Sequence, residues 1–164
     1  MTKFKLVLTY FSILLFVFSI NINIYSQMGI VVSKDEQGSS VKYALEVGNT
    51  IKEAQAKAKK TLLDAEEPVK EETIYDLFSD EKTGHELNKG HYVLILSSRK
   101  MLGNHLRVSY GLGGSEKSKA EALNRAIIHM KEHDFGYKNE QGYSIVKEGK
   151  IEDLFPDEDE GEIR

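Results

Sequence analysis

The sequence contains no cysteine and no tryptophan, and only two prolines. Without cysteine there are no disulfides, no thiol nucleophile and no cysteine-ligated zinc. Packing alone, or a bound ion, must therefore hold the fold. The chain also lacks a basic run, with 22 Lys and Arg against 26 Asp and Glu and a net charge of −4. An acidic chain of this kind argues against nucleic acid or an anionic membrane surface as partner. There is no G-x-S-x-G elbow either, and the serines and histidines show no telling spacing for a hydrolytic triad.

Long apolar runs are equally scarce, with one exception. Leu6 to Ile20 is almost wholly apolar, Lys3 and Lys5 precede it, and Ile24-Tyr25-Ser26 ends it on a small residue. That is the pattern of a secretory signal peptide, too short and wrongly flanked for a transmembrane helix. We place the cut after Ser26, which makes residues 1–26 the signal peptide, with an uncleaved anchor as the alternative. No cysteine follows the cut, so the thioether-lipid anchoring of a bacterial lipoprotein is excluded, and no stable membrane anchor is expected after cleavage. The expected location is secreted or periplasmic. The remaining 138 residues carry 20 basic against 26 acidic side chains, and only Phe78, Phe135 and Phe155 remain of the phenylalanines. A chain of that length supports one compact domain with a modest core.

What is present is a repeat. Val69 to Gly84 reads VKEETIYDLFSDEKTG, and Val146 to Gly161 reads VKEGKIEDLFPDEDEG, ten identities without a gap. Other phrases recur upstream. Val41-x-Tyr43-x-Leu45 and Val108-x-Tyr110-x-Leu112 alternate as half-buried strands. Each is preceded by a shorter apolar strand, Gly29 to Ser33 and the more apolar Tyr92 to Ser97. Thr50-x-x-Glu53 and Ser118-x-x-Glu121 have the form of capping boxes, with each glutamate reaching back to its cap amide. Behind them, Ile51, Ala54, Ala58 and Leu62, and then Ala122, Leu123, Ala126, Ile127 and Met130, fall on helical stripes. The expected fold is α+β: tandem duplicated ββα units (27–86 and 87–164) with antiparallel hairpins packed on helices and pseudo-twofold symmetry. The two sheets are expected to join edge to edge, one face lying under both helices. Ile74, Leu77 and Phe78, and likewise Ile151, Leu154 and Phe155, have the spacing of one side of a short helix. Such a stripe reads either as core or as a motif that docks into a partner.

Four stretches are candidates for chemistry. His129, Glu132 and His133 spell H-x-x-E-H, which places two imidazoles one helical turn apart for zinc, with Glu132 to activate water. The other reading is two solvated histidines near a helix C-terminus. Asp76, Asp80 and Glu81 recur as Asp153, Asp157 and Glu158, a possible set of oxygen ligands for calcium or simply a solvated acidic face. Gly111 to Ser118 ends in Lys-Ser like a phosphate loop, but Glu116 stands where that loop needs glycine. It reads instead as a flexible strand-to-helix turn. Last, His133 to Ile145 (HDFGYKNEQGYSI) is a glycine-punctuated aromatic loop that the first unit lacks. Aromatics on such a loop offer contact area at low entropic cost. The leading expectation is thus an exported non-enzymatic binding or inhibitor-like module, with Phe135, Tyr137 and Tyr143 contacting a protein or glycan of the cell envelope or exterior and no cofactor. The alternative is a metal-dependent protein, with zinc at the histidines or calcium at the acidic phrases.

Overall fold

A computed structural model describes residues 27–77 and 83–155. The expected signal peptide, Phe78, Asp80, Glu81 and the acidic tail that holds Asp157 and Glu158 lie outside the described residues. In chain order the elements are β1 (Gln27–Lys34), β2 (Ser40–Gly48), α1 (Ile51–Leu63), β3 (Ile74–Leu77), β4 (His91–Lys100), β5 (Leu106–Ser115), α2 (Lys119–His133) and β6 (Ser144–Lys150). They form two antiparallel three-stranded sheets, in the orders β2-β1-β3 and β5-β4-β6. The fold is a small α+β fold, and each half is ββαβ rather than ββα.

The sheets do not join edge to edge. Met28, Ile30, Val32 and Leu77 of the first sheet share one buried cluster with Tyr92, Leu94, Tyr110 and Leu112 of the second. Tyr43 and Tyr110 meet across it with ring centroids 4.9 Å apart. The alternate residues of the same strands face outward: Val31 and Ala44 pack on Ala58 and Leu62 of α1, while Val93 and Ile95 pack on Ala122, Ala126 and Met130 of α2. The result is four layers, helix–sheet–sheet–helix. The physical reason lies in β1 and β4, which are apolar at successive positions and buried on both faces. A single sheet with both helices on one side would leave Ile30, Leu94 and Leu112 in water. Covering a side chain of that size is worth about 1.5–3 kcal/mol.

Both helices begin where the caps place them. Thr50 Oγ1 accepts from the Glu53 amide at 3.1 Å, and Ser118 Oγ accepts from the Glu121 amide at 3.2 Å. The reciprocal half of each box differs from expectation. Glu53 accepts from the Asn49 amide, and Glu121 pairs with Arg125 one turn on. Gln55 is buried with the apolar stripe of α1. The glycines of Gly111 to Gly114 are not a turn, because β5 runs through them to Ser115. They bring the helix close. A Cβ at Gly113 would stand 2.2 Å from the Ala122 carbonyl oxygen, and one at Gly29 would stand 2.6 Å from the Gln55 nitrogen. Alanines on the helices and glycines on the strands thus set a backbone-to-backbone approach in both halves.

The repeated phrase adopts two conformations. In the first copy Ile74–Leu77 is the edge strand β3, with Leu77 opposite Ile30. In the second copy the edge strand is Ser144–Lys150, which takes in the first five residues of the phrase, and Ile151 to Leu154 forms a single 3-10 turn at its end. Neither is the short α-helix that the spacing predicts. In a strand, residues three apart point to opposite faces, so Ile74 packs on the α1 side and Leu77 enters the core between the sheets. In both places the apolar residues are core: Leu77 and Ile151 are buried, and Leu154 and Phe155 pack against them.

Candidate functional site

The second half holds a hollow of about 360 Å³ beside α2, lined by Asn124, Ile127, Ile128, Lys131, Tyr137, Asn139 and Tyr143. Its volume falls within the range of small-ligand sites. Ile128 is half-exposed although it lies on a helix. The three aromatic residues of the loop divide in role. Tyr137 is only 8% exposed and packs with the α2 core, so it forms the floor of the hollow. Tyr143 is 40% exposed and stands at the wall, while Phe135 is 97% exposed. Burial, and then the neighbouring Tyr143, raise the Tyr137 phenol pKa. A second hollow of the same volume lies against α1, but Lys52, Gln55, Ala56, Lys59 and Asp76 line it and no aromatic does.

The loop that carries these aromatics is tied down. The Asp134 N–H donates to the Met130 carbonyl at 2.8 Å, which closes the C-terminus of α2. The Asp134 carboxylate, 4% exposed, accepts two hydrogen bonds from Arg99 at 2.6 and 2.7 Å and one from Ser109 Oγ at 2.6 Å. It also accepts from the Gly136 amide at 3.1 Å, which fixes the first turn of the loop. Burial alone would raise the Asp134 pKa, but the hydrogen bonds from Arg99, Ser109 and Gly136 outweigh it and hold the carboxyl below its ordinary value. At the far end Ser97 Oγ donates to the Gly142 carbonyl at 2.8 Å. Ordering such a segment before binding removes an entropic cost that a floppy loop would meet on contact.

His129 departs from the solvated reading of the two histidines. His129 is fully buried, not solvated, and its Nδ1 accepts the Leu112 amide at 2.9 Å. His85 is buried beside it, and its Nε2 lies 2.8 Å from the Leu112 carbonyl. One residue of β5 is therefore held from both its amide and its carbonyl. The His129 ring stands edge-on to His85 at 4.7 Å and to His133 at 4.6 Å between centroids. Glu132 is exposed. Among the described residues no three metal-ligating side chains converge, at the histidines or around Asp76 and Asp153. His85 has no recognisable motif in sequence, and its approach to His129 is visible only once β5 lies between them.

Several residues of the hollow escape sequence reading. Asn124, Ile127, Ile128 and Lys131 lie on α2, and a helical stripe counts Ile127 with the core. An apolar residue off the buried stripe, Ile128, is the one trace that the sequence offers. Comparison with known protein families, with curated proteins and with solved structures finds no match for this chain.

Proposed function

We propose that the chain is an exported, non-enzymatic binding module, inhibitor-like in form, that holds a protein or glycan of the cell envelope or exterior in the hollow beside α2. We also read its two halves as duplicated units behind a cleaved signal peptide, a reading that the recurring sequence phrases and the matching strand orders support. The observation that carries the functional reading is the tethered loop. Asp134 and Ser97 pin its ends, Tyr137 anchors its middle, and Tyr143 and Phe135 are left for contact. Amide and ammonium groups at Asn124, Asn139 and Lys131 border an apolar floor. That combination suits a ligand with hydroxyls or amides above an apolar face. Among the described residues no helix is long and apolar enough to cross a membrane.

The test replaces Phe135 and Tyr143 with alanine and leaves the buried Tyr137 in place. Capture of ligand from a cell-envelope fraction should be lost while the unfolding curve stays within experimental error of the parent. Unchanged capture would overturn this placement. The metal alternative has its own readout: a rise in Tm on adding zinc or calcium after chelation, with the zinc effect lost in His129→Ala, His133→Ala. The binding-module account expects no such rise.

A further inference from the structure

β4 is longer than the strand that covers its outer edge. Of its ten residues only His91 to Leu96 pair with β6, which begins at Ser144 opposite Leu96. On the other side β5 continues alongside β4 as far as Lys100. The direction of each β4 backbone group follows from its neighbour on β5. The Leu112 amide donates to His129 and the Val108 amide to Ser39 Oγ, so both point away from β4. Their cross-strand neighbours, Leu94 and Ser98, therefore turn their own amides and carbonyls toward the β6 side. Gly90 belongs to the same alternation, and its carbonyl accepts the Ile151 amide at 3.0 Å. Leu94 and Leu96 meet β6. Ser98 and Lys100, next in the series, do not.

Ser98 is exposed, and among the described residues neither its amide nor its carbonyl has a hydrogen-bond partner. Gly142 stands opposite if the register is continued, but it is engaged elsewhere. Its amide donates to the Asn139 carbonyl, and its own carbonyl accepts from Ser97 Oγ. Lys100 is exposed as well and faces no described strand on that side. A bay of about 220 Å³ opens here, reaching from Leu96 and Ser98 to Gln141 and Tyr143. Tyr143 also walls the hollow beside α2, so the bay and the hollow adjoin. Backbone groups left unpaired at a sheet edge are a template for another strand.

We propose that the open end of β4, at Ser98 and Lys100, pairs with an extended peptide segment of a protein partner that lies in line with β6. The proposal rests on the hollow beside α2 being the binding site, and it selects protein over glycan as the ligand. Ser98 and Lys100 offer donor and acceptor groups repeated about 7 Å apart, the spacing of alternate residues in a strand. A peptide backbone carries the complementary repeat, and sugar hydroxyls do not. Alternate side chains of the added strand would lie on the α2 face, beside Tyr143 at the rim of the hollow. A second copy of this chain, pairing edge to edge, would gain only the bonds of these two residues.

Hydrogen exchange on the free parent is the first arm of the test. The Ser98 and Lys100 amides should exchange roughly a hundredfold faster than those of Leu94 and Leu96. Equal protection would overturn the proposal, as would protection that rises with protein concentration, the mark of a second copy on the edge. The second arm uses a dodecapeptide selected from a random display library on the immobilised parent. Ser98→Pro removes the outward amide without touching a β4–β5 bond, so the variant should fold. It should bind the selected peptide about tenfold more weakly than the parent does, and the peptide should protect the parent's Ser98 amide. N-methylation of alternate peptide amides should weaken binding to the parent, while N-methylation of the intervening ones should not. That alternation reports strand pairing even where the proline variant fails to fold. Unchanged binding to Ser98→Pro, N-methyl effects without alternation, or a library that yields no binder would overturn the proposal. Loss of the peptide in Tyr143→Ala with full binding to Ser98→Pro would remove strand pairing and keep the hollow. Loss in Ser98→Pro with full binding to Phe135→Ala, Tyr143→Ala would support strand pairing and remove the hollow.

Discussion

Asp134→Asn keeps the shape of a buried side chain and removes its charge. In the parent, Asp134 accepts two charge-assisted bonds from Arg99, one from Ser109 and one from Gly136, with Arg107 3.7 Å away. The amide can keep one oxygen as acceptor, but its NH2 then faces a guanidinium that also only donates. Hydrogen bonds to charged groups contribute about 1.5–3 kcal/mol each. Removing one partner of a buried pair costs about 3–5 kcal/mol. Arg99 and Arg107 keep some contact with water, at 15% and 29% side-chain exposure, which favours the lower end. We expect a loss of about 3 kcal/mol and a fall in Tm of roughly 10 °C for a chain of this size. Urea unfolding followed by far-ultraviolet circular dichroism measures it, since the chain has no tryptophan. The sign of the pH effect follows from the depressed folded pKa. The stabilisation is present above the unfolded value, ordinarily 3.8, and is lost as pH falls through the folded value. The parent should therefore lose more stability than Asp134→Asn below about pH 4. Glu148→Gln, which breaks the exposed pair with Lys119, is the control and should cost under about 1 kcal/mol. A loss at Asp134→Asn no larger than this control would refute the reasoning.

Three further outcomes follow from the packing. Gly113→Ala forces a methyl onto the α2 backbone and should cost about 1–3 kcal/mol by urea unfolding, whereas Gly142→Ala meets no neighbour but sits at φ +71°, a conformation nearly confined to glycine, and should cost about 1–3 kcal/mol from strain alone. Ile151→Ala should cost about 2–5 kcal/mol, because Ile151 is fully buried; a change under 1 kcal/mol would mean that the second phrase is a docking motif rather than core. His129→Leu leaves the Leu112 amide without its acceptor and should cost about 1–3 kcal/mol, with faster hydrogen exchange at Leu112 than at neighbouring β5 amides.

Local physics was the most legible part of the chain. Thr50 and Ser118 marked both helix starts because an N-cap is a contact over three residues and needs no tertiary context. The alternation around Tyr43 and Tyr110 likewise gave β2 and β5. The face-to-face stacking of the sheets was within reach, since Ile30-Val31-Val32 and Val93-Leu94-Ile95 are apolar on both faces. The third strands were not. β6 is exposed along its whole length and shows no buried alternation, so nothing distinguished Ser144–Lys150 from loop. The repeated phrase misled for a related reason: identical residues stand at a strand in one half and beyond a strand in the other, and sheet register is set by partners distant in sequence. The hollow beside α2 was half legible. Its aromatic loop was visible, but which tyrosine is floor and which is wall depends on the packing of Tyr137 against Val93 and Ile95.

Site-specific photo-crosslinking in cells that make the protein tests the central claim most directly. A photoreactive phenylalanine analogue at position 143 should give a discrete adduct, and Ile128→Asp should abolish it. The same analogue at position 75, on the exposed Tyr75 of the other half, should give none. An adduct from position 75 alone, or no adduct from position 143 or 135, would contradict the assignment of this face as the binding site.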